Sequence, residues 1–450
     1  MGLISGIADR IQRSPFLKSG LAVAAGRGTV IASNFLIFFI LVRMCSPEDF
    51  GTWVLFTTIT TIFEVANTSF VNNAIIKYYN EYTGGRRAVF IYNAFLLCLF
   101  LIISIGLLEL ASTFVLDKIY DSAELIKLMY YAPVLLIFSG LINFVNCLEQ
   151  GNMRFYGQLI SSVLRSGIFI VYLVYIYLHG KQYSLLSFLT VNIVSGLIAA
   201  IITIITTRQF ISVARLFRPD IMRKIAKYGF FTFGIEVIGQ VSNNIGQLIS
   251  GALLSPAAVG VINVANRVLQ FIELPLQSVS TVLMPKGVKT LKDEGIDGVK
   301  GLYEKSSALI VAVMLPVLLL LFVFSDQVVY LIAGRDFIQA SILLKITVVY
   351  SLFKPFGRNA GVMLNAMGRT KINFFMVLIP TALNLFLNYY LIKHWGVIGS
   401  PVATLIATLV GFTFNQYILG KIAGVSIINI LAEISSYYQF IFKLGSKRSN

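Results

Sequence analysis

Residues 46–51 read Ser-Pro-Glu-Asp-Phe-Gly and residues 255–260 read Ser-Pro-Ala-Ala-Val-Gly, one Ser-Pro-x-x-apolar-Gly pattern used twice, each time between two long apolar stretches. Carried outward at the same offset, Gly20 aligns with Gly229, Ser33 with Ser242, Asn34 with Asn243, Ser69 with Ser278 and Lys77 with Lys286. Glu64 aligns with Glu273, and Arg27 stands opposite Glu236. Shared composition does not produce matched polar residues inside apolar runs, so the chain reads as an internal duplication. The motif itself is architectural: Ser46 or Ser255 caps the next helix while Pro47 or Pro256 takes its first turn, where the missing N–H costs nothing.

Composition sets the class. The 450 residues are 57% hydrophobic and only 12% charged, about half the usual charged share. Stretches of about 18 or more apolar residues can cross a bilayer. Twelve are expected, over 20–42, 52–74, 88–109, 128–148, 157–178, 185–207, 229–254, 260–284, 307–324, 341–364, 373–392 and 397–419. The chain is thus expected to be an all-α polytopic membrane protein with the first span as its own signal anchor, since residues 1–18 carry Asp9, Arg10, Arg13 and Lys18. Cys45, Cys98 and Cys147 are too scattered for a disulfide framework or a metal site.

Basic residues fix the expected orientation. With a cytoplasmic N-terminus, 24 Lys and Arg fall inside, among them Arg86, Arg87, Arg215, Arg218 and Lys289. Six fall outside: Arg43, Lys118, Lys127, Lys181, Arg335 and Lys393. That bias puts both termini in the cytoplasm. It also accounts for the net charge of +16 through anionic lipid headgroups, without nucleic acid. The expected organisation is a cytoplasmic segment 1–18, an N-lobe 19–207, a basic amphipathic linker 208–228, a C-lobe 229–420 and an interfacial C-terminal segment with a basic tail, 421–450. Six spans per half make the repeats parallel, related by a pseudo-two-fold axis along the membrane normal, as in secondary transporters.

Charges inside the spans point to the site. Arg27, Glu64, Arg165, Glu236, Arg267, Glu273, Lys354 and Arg358 would each cost about 2.5–3.5 kcal/mol facing lipid near a helix centre. They therefore pair or line a water-filled cavity. Five positive charges against three negative suit an anionic substrate, and the arginine fork matches phosphate oxygens. Arg27 and Glu64 sit at comparable heights, and Arg27 and Glu236 are candidates to face each other across a central cavity. Asn34 and Asn243, with other amides on the same spans, offer hydrogen bonds to sugar hydroxyls. Arg27 and Arg267 are the leading phosphate contacts. No cofactor or metal is expected, and a proton or sodium gradient is the candidate energy source.

The stretch LVRMCSPEDFGTWVLF, the basic loop near Arg86 and the run WGVIGSPVATLIATLV resemble the oligosaccharide flippases of the multidrug/oligosaccharidyl-lipid/polysaccharide exporter superfamily. The resemblance implies translocation of a polyprenyl-diphosphate-linked oligosaccharide from the cytoplasmic to the outer leaflet by alternating access. It implies a place in bacterial surface polysaccharide assembly, such as O-antigen, at the inner membrane beside a polymerase and chain-length machinery. Related lipid II flippases hold arginines in a cationic cavity, a part that Arg27 and Arg267 would take here. Ala257-Ala258 departs from the acidic motif, at the turn only.

Two other classes are set against this. A cation-coupled multidrug exporter shares the fold, but a cationic substrate favours a negative cavity. A membrane-embedded glycosyltransferase, polymerase or ligase needs a clustered acid, base or metal site. Here the outer connections are short, and His179 and His394 are isolated at helix ends.

Overall fold

The computed structural model describes residues 15–152, 154–211, 214–270 and 274–446, with side chains described outside 15–27, 73, 231–232, 235, 274–282, 285 and 440–446. The described residues form α-helices joined by short connections, with no strand among them. In chain order the helices are α1 (Pro15–Met44), α2 (Pro47–Tyr79), α3 (Gly84–Ile119), α4 (Ala123–Gly151), α5 (Tyr156–His179), α6 (Leu185–Thr207) and α7 (Pro219–Leu253). They continue with α8 (Pro256–Gln270), α9 (Leu274–Val323), α10 (Ser325–Ala333), α11 (Ala340–Ser351), α12 (Lys354–Ala366), α13 (Thr370–Trp395), α14 (Gly399–Ala423) and α15 (Ile427–Ser446).

Among the described residues, eight stretches are long and apolar enough to cross a membrane: Pro47–Tyr79, Gly84–Ile119, Ala123–Gly151, Tyr156–His179, Leu185–Phe210, Lys286–Val323, Ala340–Ala366 and Thr370–Ala423. The last contains both α13 and α14, and Gly28–Met44 in α1 is a shorter apolar stretch. Large apolar side chains such as Leu107, Phe114, Val171, Leu178, Val323 and Phe386 are exposed, as lipid-facing helices require. The chain is thus a multi-pass membrane protein.

The duplicated motif does what its residues dictate. Ser46 Oγ accepts from Asp49 N at 3.1 Å at the start of α2, and Ser255 Oγ accepts from Ala258 N at 3.3 Å at the start of α8. In each case proline follows the cap, inside the first turn. The acidic pair Glu48 and Asp49 adds favourable charge at the N-terminus of α2. Asp49 does more: Tyr183, between α5 and α6, donates its hydroxyl to Asp49 Oδ2 at 2.9 Å and accepts from Ser46 N at 3.1 Å.

The chain divides into two compact units, 1–244 and 245–450. The boundary lies within α7 rather than in segment 208–228. The amphipathic helix expected over that segment is not what forms. A 3₁₀ turn covers Arg208–Phe210, residues 214–218 are non-helical, and α7 begins at Pro219, ten residues before the expected span. The reason is local. Proline disfavours helix in the residue before it. The amide of buried Asn93 on α3 takes up the backbone instead: Asn93 Oδ1 accepts from Arg218 N at 2.7 Å and Nδ2 donates to Leu216 O at 2.8 Å. Ile221 and Ile225 of α7 then pack with Ile75, Phe90, Ala94 and Leu148 in the core of the first unit.

In the second unit the core joins α9, α12, α14 and α15 through Tyr303, Phe356, Met363, Leu419 and Ile430. The helix α9 breaks at Gly295, whose φ of 70° only glycine adopts readily. Helix α15, expected as an interfacial addition, lies along the second part of α9. Buried Glu304 accepts from Ser426 N at 2.9 Å, and Tyr438 donates to Ala312 O at 2.7 Å. Both contacts advance together along the chain, so the two helices run parallel.

Candidate polar cavity of the first unit

Helical periodicity builds this site. Thr57, Thr60, Thr61 and Glu64 recur on one face of α2, and Gln158, Ser161, Ser162 and Arg165 on one face of α5, at the i, i+3, i+4, i+7 spacing of a stripe. Two cavities, of about 440 and 140 Å³, share Arg165 and Asn192 in their walls. The larger is lined by Asn34 of α1, Asn72 of α2, and Asn143, Asn146 and Gln150 of α4, along with the α5 stripe. The smaller is lined by the α2 threonines, Glu64, Ser139 and Glu109.

Arg165 Nη1 lies 3.9 Å from Glu64 Oε1, both side chains about one-third exposed. A pair that wet contributes little to stability, about 0–1 kcal/mol. Its charges stay available. Glu109 of α3 is only 1% exposed, and among the described residues its Oε2 has no hydrogen-bond partner. Several hydroxyls turn their protons inward: Thr60 to Phe56 O at 3.0 Å, Thr61 to Thr57 O at 2.6 Å, Ser162 to Gln158 O at 2.8 Å and Ser166 to Ser162 O at 2.7 Å. Asn192 likewise gives its amide N–H to Phe188 O at 2.9 Å. The walls therefore present hydroxyl, amide and carboxylate oxygens as acceptors, which suits a ligand rich in hydroxyl donors. Below the cavity, Glu149 Oε2 accepts from Gly157 N at 2.6 Å, holding the first turn of the helix that carries Arg165. A side chain at Gly157 would place its Cβ 2.7 Å from that oxygen.

Of the residues singled out in the sequence, the structure brings Glu64, Arg165 and Asn34 to this site. Glu236 and Asn243 on α7 are exposed. Arg267 on α8 donates to Gln270 Oε1 at 3.0 Å. Lys354 lines a different cavity, in the second unit, and Arg358 one turn later is exposed. The side chain of Arg27, and Glu273 altogether, lie outside the described residues, so the expected Arg27 pairings with Glu64 and Glu236 do too. In the smaller cavity the Arg165 guanidinium meets two carboxylates, Glu64 and Glu109, whereas Arg165 is the one charged residue among the described lining of the larger. Glu109 was not among the charges singled out in the sequence because it falls at the end of the expected span 88–109, whereas α3 runs ten residues further to Ile119.

The first unit thus sets polar cavities inside an apolar multi-helix scaffold. Residues 40–342, about two-thirds of the chain, match the family described as polysaccharide biosynthesis protein, and the chain belongs to that family. The structure is similar to that of the lipid II flippase MurJ in an inward closed conformation, with a TM-score of 0.75 at 16% identity, over 96% of this chain and 93% of that one. It is also similar to an inward-facing multidrug resistance MATE family transporter of the MOP superfamily, with a TM-score of 0.70 at 17% identity, over 88% of this chain and 95% of that one. In sequence, 203 residues are 23% identical to a probable low-salt glycan biosynthesis flippase of Haloferax volcanii, covering 45% of this chain and 43% of that protein. The chain spans about half the length of the curated relatives it matches. The resemblance drawn from the Ser-Pro-Glu-Asp-Phe-Gly stretch holds at the level of a polysaccharide biosynthesis family and of a fold shared with these transporters.

Proposed function

We propose that the protein is a flippase that carries a polyprenyl-diphosphate-linked oligosaccharide from the cytoplasmic to the outer leaflet for surface polysaccharide assembly. The observation that carries this reading is the pair of acceptor-rich cavities that share Arg165, the smaller with Glu64 in its wall, in an otherwise apolar chain of a polysaccharide biosynthesis family. Sugar hydroxyls are donors that such walls satisfy, whereas an apolar drug leaves them unpaired at a cost of about 1–3 kcal/mol each. In this reading twelve spans form two parallel lobes that alternate access, and Arg27 and Arg267 contact the diphosphate. The reading makes the chain a transporter with no catalytic residue, seated in the bacterial cytoplasmic membrane with its N-terminus and basic connections inside. A polymerase and chain-length machinery act downstream on the translocated product. A proton or sodium gradient drives the cycle, with Glu64 and Glu109 as the acids that exchange the ion.

A cation-coupled multidrug exporter is the second reading, and two acids against one base in the smaller cavity of the first unit favour it. Deleting the gene separates the two. Loss of surface polysaccharide with lipid-linked precursor retained on the inner leaflet supports the flippase. Normal polysaccharide with new sensitivity to cationic drugs supports the exporter.

A further inference from the structure

The second unit holds a polar cavity of opposite character. About 250 Å³ in volume, it lies among α12, α13 and α14, and Lys354 is the one ionisable side chain among its described lining residues. Lys354 opens the first turn of α12, where the positive end of a 13-residue helix adds to its charge. Its ammonium also sits 5.1 Å from the centre of the Tyr350 ring.

The amides divide into donors and acceptors. Asn384 Oδ1 is taken by Asn388 Nδ2 at 2.7 Å, which leaves the Asn384 NH₂ to donate. Asn373 Nδ2 is given to Asn365 Oδ1 at 3.1 Å, which leaves the Asn373 carbonyl to accept. Asn415 is 7% exposed, and its Oδ1 has no partner among the described residues. A buried amide oxygen without a donor costs about 1–3 kcal/mol, and a ligand hydroxyl would remove that cost. Pro380, also in the wall, has no N–H for the carbonyl one turn earlier at Met376, a further acceptor.

The geometry points to a monosaccharide bearing one anionic group as the occupant of this cavity. The anion lies between Lys354 and the Asn384 NH₂, and sugar hydroxyls donate to Asn415 and Asn373. The volume is below the roughly 300–1,000 Å³ of drug-sized sites, so one sugar fits and the whole oligosaccharide does not. The anionic group is either a phosphate ester at the lipid-linked end or the carboxylate of an acidic sugar. Only the source of the ligand rests on the flippase reading. The charge and hydrogen-bonding demands of the cavity stand without it.

The test is calorimetric titration of the full-length protein in phosphatidylcholine nanodiscs with glucose 1-phosphate, glucuronic acid, glucose and inorganic phosphate. Glucose 1-phosphate or glucuronic acid should bind at least about ten-fold more tightly than glucose, as loss of one charge-assisted bond implies, and more tightly than inorganic phosphate, which has no sugar hydroxyls for Asn415 and Asn373. Whichever charged sugar binds better identifies the anionic group. Lys354→Gln should remove that preference by about ten-fold while Lys354→Arg keeps most of it, and Asn384→Ala should weaken binding several-fold at unchanged thermal unfolding. Equal binding of glucose, binding by none of the four, or an unaltered preference in Lys354→Gln overturns the site. Surface polysaccharide in cells separates the two proposals. If a null strain loses it and Lys354→Gln restores it fully, the cavity fails and the flippase stands. If the charged sugar binds as expected and a null strain keeps its polysaccharide, the flippase fails and the cavity stands.

Discussion

Glu64 on α2 and Arg165 on α5 meet at 3.9 Å where the two polar cavities of the first unit join. Neither residue is sequestered, so the pair does not hold the helices together by its own energy. It fixes where charge stands in a cavity of hydroxyls and amides.

Arg165→Ala and Glu64→Gln should each change unfolding stability by no more than about 1 kcal/mol, yet abolish most transport. Melting of purified protein and surface polysaccharide in complemented cells check the two halves. Stability loss in proportion to transport loss would make the pair structural. Exchanging the two residues should likewise leave folding intact and fail to restore transport, because the guanidinium would then sit on the wrong wall.

Tyr183 bridges Asp49 and the Ser46 N–H at the motif. Burial pushes its phenol up to about 12; the Ser46 N–H opposes this, and the hydrogen bond to Asp49 adds to it. An unfolded tyrosine titrates near 10. The folded state therefore holds the proton more tightly, and the stabilisation is complete below pH 10 and lost as pH rises from about 10 to 12. Tyr183→Phe should flatten that part of the stability curve. An unchanged alkaline limb would show that the bridge is not formed in solution.

Asn93 should hold the connection into α7. Asn93→Leu leaves Arg218 N and Leu216 O without their partners, a loss of about 1–3 kcal/mol for each group left buried. Limited trypsin digestion should cut faster at Arg215 than in the native chain. Equal digestion would mean that other contacts suffice.

The parallel course of α15 and α9 gives a topological expectation. The contacts of Glu304 with Ser426 and of Tyr438 with Ala312 carry α15 along the second half of the Lys286–Val323 span, away from Asp293. A reporter fused after Ser446 should lie on the opposite side of the membrane from one inserted at Asp293. Reporters on the same side would return α15 to the interface, where the sequence had placed it.

The helical class, the cap at Ser46 and Ser255 and the inward placement of Glu64 and Arg165 were legible because each depends on nearest neighbours along the chain. Pairing was not. Depth counting set Glu64 level with Arg27, whose side chain lies outside the described residues, while the meeting of Glu64 on α2 with Arg165 on α5 across the cavity depends on tertiary structure. Glu109 was missed because an acid was taken to end an apolar run, although a long helix can bury one inside its length. The segment 208–228 has helical spacing, yet Asn93, more than a hundred residues away in sequence, takes its backbone bonds. Neither the amide network around Asn415 nor the direction of α15 has a local signature.

The central claim is best tested in proteoliposomes containing the purified full-length protein and polyprenyl-diphosphate-linked oligosaccharide isolated from the producing cells, with the fraction open to an external glycosidase followed over time under an imposed ion gradient. The flippase account predicts that wild-type protein exposes the inner pool far faster than protein-free liposomes, and that Arg165→Ala does not. Exposure at the protein-free rate, in vesicles where the same protein extrudes a cationic dye, would contradict it.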